Sequence, residues 1–300
     1  MKHKKIAIIG AGAVGSTTAY ALMLKNVIAE IILVDTDEKR CKGEILDLSD
    51  ASFCSTSKIH GGTAQDAAQA DIIIIAAGIR QKPKQTRIEL IATNRSIISA
   101  ILEQIRPISL HTIIIMVTNP VDILTLDAQQ SSGLPRNQVF GSGTFLDTQR
   151  LCSILAKKLN IAAQSIDAYI LGEHGDTQFP AWSNAYIAGI PLHDFPQINQ
   201  KELNQIAEET RKKAYEIISC KGATYYGIAT CVATMCQAII VDQKLVMPLS
   251  CYIPSFDVCL SMPAVLGGNG IEQILPIPLN EKEQQQLSRS AEHLQKLRYS

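Results

Sequence analysis

The 300-residue chain has no surplus of either charge: 28 Lys+Arg stand against 28 Asp+Glu. A neutral chain has no bulk electrostatic pull toward nucleic acid or an anionic membrane, so any cationic site for an acidic ligand must be local. No apolar run approaches the ~18 residues that cross a bilayer. The short run Ile6-Ala7-Ile8-Ile9, behind Met1-Lys2-His3-Lys4-Lys5, is too brief for the core of a secretory signal, and the expected location is the cytoplasm. None of the eight cysteines forms a CxxC pair, and several sit in apolar runs such as Thr230-Cys231-Val232. That pattern points to buried, reduced thiols rather than a disulfide framework, and no metal site is expected. Low-complexity linkers and short repeats are also missing.

What remains is a chain that is 46% hydrophobic, enough to bury one or two cores. Runs at 5–9, 30–34, 71–76 and 112–117 are short and almost wholly aliphatic, with helical stretches such as 14–24 and 87–106 between them. Continuous apolar strands of this kind suit a parallel sheet covered on both faces, so the expectation is an α/β fold with a doubly wound, Rossmann-type sheet. The second half reads as helices at 144–159, 199–219 and 224–241, a strand at 166–171 and a pair at 245–251 and 256–261. A polar last helix over 281–297 follows, with Asn280 as its N-cap. This part is expected to be an α+β domain, with the join near Gly141-Ser142-Gly143, giving units of 1–143 and 144–300.

The first strand candidate leads into Gly10-Ala11-Gly12-Ala13-Val14-Gly15 and a helix. The first glycine allows the tight turn, the second lets backbone approach a pyrophosphate, and the third lets helix and strand pack closely. Asp35 ends the next strand, twenty residues beyond Gly15, where a carboxylate can accept from both ribose hydroxyls and repel a 2′-phosphate. The expected cofactor is therefore NAD. Arg40 is a weaker candidate for the adenosine side. Ala77 and Gly78 follow a third strand and leave room for the cofactor. Val117-Thr118-Asn119-Pro120 ends a fourth, with Asn119 a candidate to orient nicotinamide ribose or substrate and its bond to proline a candidate cis bond.

Three further elements carry chemistry. His174 lies between glycines in Leu171-Gly172-Glu173-His174-Gly175-Asp176, and an imidazole suits reversible proton transfer near neutral pH. Asp147 and Arg150 lie three apart at a helix start and share a face; the acid can orient the histidine and the guanidinium can grip a carboxylate with two prongs. Alone, such a pair also reads as an ordinary surface ion pair. The basic stretch Gly78-Ile79-Arg80-Gln81-Lys82-Pro83-Lys84-Gln85-Thr86-Arg87 reads as a lid, with Arg87 a candidate to polarise a carbonyl. A proton donor, a polarising cation and a carboxylate clamp are what hydride reduction of a 2-keto acid requires.

Together these elements resemble the lactate/malate dehydrogenase family over nearly the whole chain, from Gly10–Gly15 to Lys221-Gly222-Ala223-Thr224 and the glycines of 267–270. The resemblance implies that His174 is the acid/base, Asp147 its partner, Arg150 the carboxylate clamp and Arg87 the polariser. It implies reversible hydride transfer between NADH and pyruvate to give L-lactate. Family members acting on malate carry arginine where this chain has Gln81, and an unpaired buried carboxylate would be disfavoured there by several kcal/mol. Thr224 matches the small pocket residue of the lactate enzymes. Malate and branched 2-hydroxy acids are the alternative substrates, and a catalytically silent NAD-binding protein is the alternative outside enzymes. Lys84-Gln85 replaces the family's usual Gly-Glu, which makes the lid stiffer and more basic. Cys152 and Asp167 stand where relatives activated by fructose 1,6-bisphosphate carry arginine and histidine, so no activation is expected. The chain begins almost at its first strand, leaving no N-terminal arm; a homotetramer is the first expectation and a dimer the second.

Overall fold

The computed structural model describes residues 4–27, 29–79 and 87–298. Its first half alternates strand and helix: β1 (Lys4–Ile9), α1 (Ala13–Leu24), β2 (Ala29–Val34), α2 (Glu38–Asp50), β3 (Lys58–Gly61), α3 (Ala64–Ala68), β4 (Ile72–Ile75), α4 (Arg87–Gln104), β5 (Ile113–Met116), α5 (Val121–Ser131) and β6 (Val139–Gly141). The six strands pair in parallel in the order β3-β2-β1-β4-β5-β6. Every residue of β4 and β5 is buried because the sheet is covered on both faces. Ile72, Ile74, Ile113 and Ile115 enter one core with Leu22 and Met23 of α1. Ile73, Ile75, Ile114 and Met116 enter another with Ile98 and Leu102 of α4 and Leu124 of α5.

The second half runs α6 (Phe145–Leu159), β7 (Ile166–Asp167), β8 (Ile170–Leu171), β9 (Phe179–Pro180), β10 (Tyr186–Ile187), β11 (Ile190–Pro191), α7 (Gln200–Lys221), α8 (Tyr226–Ile240), β12 (Leu245–Ile253), β13 (Val258–Gly267), β14 (Gly270–Ile274) and α9 (Glu281–Arg298). The strand expected over 166–171 is divided: β7 pairs with β10 and β8 with β9, in separate small sheets. The antiparallel meander β12–β14 joins the main sheet where Ser250 faces Gly141, so nine strands form one sheet across the Gly141–Gly143 stretch. Apolar residues on most sides of α8 are explained by its position, packed between α1 and β13. Asn280 caps α9: its side chain accepts from the Glu283 N–H at 3.0 Å, and Glu283 accepts from the Asn280 N–H at 3.1 Å.

Candidate active site

The glycine turn sits at the carboxyl end of β1, where the strand order reverses between β1 and β4. This is the place at which open α/β sheets bind ligands. Gly10 has φ +108°, and a Cβ there would lie 2.6 Å from the Ala77 nitrogen. A Cβ on Gly15 would lie 1.8 Å from the Gly10 oxygen, so α1 approaches the turn only because position 15 has no side chain. Gly12 differs: a Cβ there would meet nothing within 4 Å. It opens onto free space at the start of α1, a helix with no side-chain cap. Open space at uncapped N–H groups fits a pyrophosphate.

Asp35 immediately follows β2 beside this turn, half-buried. Its Oδ2 accepts from the Ala11 N–H at 2.6 Å and its Oδ1 from the Asp37 N–H at 2.9 Å. A carboxylate has about four acceptor positions, so capacity remains for ribose hydroxyls. Arg40, in the first turn of α2, is exposed and lies 3.7 Å from Asp37 Oδ2. Val14 lies in the first turn of α1. Ala77 and Gly78 run past the end of β4, and Val117 bonds back to the Ile75 carbonyl at 2.9 Å. The Asn119–Pro120 bond is cis. These cofactor candidates thus lie along one edge of the sheet.

Sequence reading missed Asn94. It is fully buried on α4, its Oδ1 accepts from the Ile79 N–H at 2.9 Å, and its Nδ2 donates to the Asn119 carbonyl at 2.8 Å. It thereby ties the segments after β4 and β5 together. A single asparagine within a helix carries no signal of that role.

A cleft of about 460 Å³ adjoins this edge, lined by Asn119, Asp147, Arg150 and His174 among others. α6 presents Asp147 and Arg150 from its first two turns, both almost wholly buried. Asp147 bridges the other two: Oδ2 lies 2.6 Å from His174 Nδ1, and Oδ1 accepts from Arg150 at 2.9 Å. Burial works against charge on both members of the acid–imidazole pair and is outweighed on each. Mutual attraction, with Arg150 adding to it on the acid's side, holds the Asp147 carboxyl below the usual carboxylate range. The Asp147 charge, helped by Asp122, lifts His174 above the usual imidazole range.

The loop carrying His174 is held by groups the sequence did not single out. The His174 backbone N–H donates to Asp122 Oδ2 at 2.8 Å, and the Glu173 N–H donates to Ser290 Oγ at 2.7 Å. Asp122 is 2% exposed, and burial pushes its carboxyl up to about 6. The outer wall comes from α7, where Arg211 and Tyr215 line the cleft and both bond to Asp176. Thr224, half-buried between α7 and α8, is not among the cleft-lining residues. Gln81 and the side chain of Arg87 lie outside the described residues; the Arg87 backbone begins α4.

Two family models divide the chain between them: "lactate/malate dehydrogenase, NAD binding domain" matches residues 4–141, and "lactate/malate dehydrogenase, alpha/beta C-terminal domain" matches 144–298. The chain belongs to the lactate/malate dehydrogenase family. Within that family it is 45% identical to L-lactate dehydrogenase A of Rhizopus oryzae, over 99% of this chain and 93% of the relative. It is 42% identical to the L-lactate dehydrogenase of Lacticaseibacillus casei, over 98% and 93%. Among solved structures it superposes on the minor L-lactate dehydrogenase from Enterococcus mundtii with a TM-score of 0.96 at 33% identity, covering 99% of this chain and 98% of that one. The NAD-binding match and the glycine turn agree on the cofactor.

Proposed function

We propose that this chain is an L-lactate dehydrogenase that interconverts pyruvate and L-lactate, with residues 1–143 holding NAD and 144–300 the substrate. The observation that carries the reading is one buried carboxylate, Asp147, bonded to both His174 and Arg150 on the wall of a cleft beside the nucleotide edge. The L-lactate dehydrogenases at 42% and 45% identity support the choice of substrate.

The reduced nicotinamide, when bound, supplies the hydride for the carbonyl carbon. The protein's own groups do the rest. Asp147 engages Nδ1 of His174, which fixes the tautomer and leaves Nε2 to hold the exchangeable proton. That proton goes to the carbonyl oxygen in reduction and returns from the hydroxyl in oxidation. Arg150 grips the substrate carboxylate with its remaining N–H groups, and Arg87 polarises the carbonyl. Asn119 orients substrate and nicotinamide ribose. Gln81 and Thr224 set a neutral, small pocket for the methyl group. Gly10, Gly12, Val14 and Gly15 receive the pyrophosphate, Asp35 and Arg40 the adenosine end, and Ala77, Gly78 and Val117 border the path between.

The deciding experiment follows NADH oxidation with pyruvate, oxaloacetate and 2-ketoisocaproate in parallel. Pyruvate should be preferred over oxaloacetate by ~10²-fold or more, the discrimination expected from an unpaired second carboxylate. A preference for oxaloacetate would replace the substrate, and NADH binding without turnover would leave a silent nucleotide-binding protein. We also propose a cytoplasmic homotetramer, with a dimer as the alternative; light scattering decides between them. Fructose 1,6-bisphosphate should not stimulate activity, because buried Cys152 and exposed Asp167 offer it no cation.

A further inference from the structure

Asp122 has no part in the chemistry above, yet it is a buried acid whose two oxygens are both engaged beside the proton donor. We propose that Asp122 is a positioning residue for His174, holding its backbone in place and contributing a second negative charge that keeps the imidazole protonated. This rests on the reading of His174 as the acid/base.

The geometry gives the first half of the role. Oδ2 of Asp122 accepts from the His174 N–H at 2.8 Å, and Oδ1 accepts from Ser250 Oγ at 2.6 Å. Asp122 stands in the first turn of α5, just after Asn119 and Pro120. One side chain therefore connects the turn at the end of β5, the loop carrying His174, and β12. β8 ends at Leu171; beyond it the Gly172–Ser261 bridge and the Glu173 N–H bond to Ser290 Oγ hold the loop on one side of His174, and Asp122 holds the His174 N–H itself. Without Asp122 two donors would lose their acceptor in a buried place, where leaving them unpaired is costly.

The charges around the pair give the second half. Asp147 and Arg150 of α6 face His174; Asp147 raises the imidazole most, Asp122 adds to it, and Arg150 opposes both more weakly. Glu173 and Asp176 belong to the same loop; Glu173 is turned to Thr177 and to His293 of α9, 3.7 Å away, and opposes the Asp122 charge more weakly than His174 favours it, while Asp176 is turned to Arg211 and Tyr215. Behind Asp122 lie Cys251 of β12 and Cys259 of β13, both kept neutral by burial, and Arg298 of α9, which is paired with Asp257. The negative charge of Asp122 thus acts chiefly on His174. The start of a helix favours that charge while burial opposes it, and the carboxyl, near 6, is ionised at neutral pH.

The test compares wild type with Asp122→Asn, Asp122→Ala and His174→Asn. Asparagine can still accept from the His174 N–H and donate to Ser250 Oγ, so it removes charge while preserving the connections. Histidine-labelled protein, with the His174 resonance assigned by its loss in His174→Asn, is titrated by NMR without cofactor. The kcat/KM for pyruvate is measured against pH at saturating NADH. In Asp122→Asn the His174 midpoint and the alkaline limb of kcat/KM should move together to lower pH by about half a unit or more. Asp122→Ala should show that shift and in addition lose about tenfold or more in plateau kcat, with NADH affinity retained. An unmoved His174 midpoint in Asp122→Asn overturns the proposal, as does wild-type kcat in a folded Asp122→Ala. If Asp122→Ala does not fold, the asparagine titration decides. Activity surviving in His174→Asn would instead overturn the reading of the site itself.

Discussion

Asp147 is the residue on which the site's electrostatics turn. Because it lifts His174, pyruvate reduction should persist through neutral pH and fall only at alkaline pH, where the imidazolium is lost. Lactate oxidation, which needs the neutral ring, should rise over the same interval. Asp147→Asn should lower kcat/KM for pyruvate by about 10²–10⁴-fold, with the smaller loss at acid pH, where His174 is protonated without help. Stability follows the same pair. The lowered Asp147 carboxyl stabilises the fold above about pH 4 and the raised His174 does so below about pH 6.5, each contribution fading as pH passes the folded-state value. Thermal unfolding should therefore show the largest gap between wild type and Asp147→Asn near pH 5, about 3–5 kcal/mol for a broken buried pair. Arg150→Lys should cost about tenfold to a hundredfold in kcat/KM, mostly through KM, because a two-pronged charged bond becomes a single one. Much of this was legible: three-residue spacing at a helix start puts Asp147 and Arg150 on one face, and glycines around His174 suggest a loop that presents it. Asp122 and Asn94 were not, since an acid in a first helical turn and an asparagine within a helix each have ordinary uses.

At the scale of the element, the turn between β1 and α1 separates two demands that the glycine fingerprint merges. A methyl group at position 15 would strike the Gly10 carbonyl, whereas one at position 12 would meet only open space. Gly15→Ala should thus destabilise the protein by about 1–3 kcal/mol as well as weaken NADH binding. Gly12→Ala should leave the melting temperature of the ligand-free protein near wild type and weaken NADH binding alone. Thermal unfolding with and without NADH checks both; equal melting temperatures for the two ligand-free variants would contradict the packing argument. The Ile-rich strands and amphipathic helices were readable because burial on two faces, or along one stripe, leaves a pattern. β3 was not, being a four-residue edge strand with no fully buried position, and α3 is too short to show a period. Division of the 166–171 strand into β7 and β8 was also hidden, because buried Ile166, Ile170 and Leu171 read as one run while the two pieces take different partners.

Over the whole molecule, the nine-stranded sheet passes without a break from the nucleotide half to the substrate half through β6 and β12. Pattern reading could not see this, because the pairing of Ser250 with Gly141 joins residues more than a hundred positions apart, and a strand pattern at 245–251 does not name its partner. A shared sheet and a core that includes α1, α8 and β13 should make the halves unfold together. Calorimetry should give one transition, raised as a unit by NADH, by about 2.7 kcal/mol at a hundred times its Kd. Two separate transitions would show the halves to be independent. Asp35 has a different bearing, on descent. The carboxylate proposed to discourage a phosphorylated ribose also fastens the glycine turn through Ala11. A lineage drifting toward the phosphorylated dinucleotide could not simply discard it, since the first step would loosen the turn before any new affinity appeared. Its cofactor preference is thus guarded by a mutational valley, which only a compensating hydrogen-bond acceptor for Ala11 would bridge.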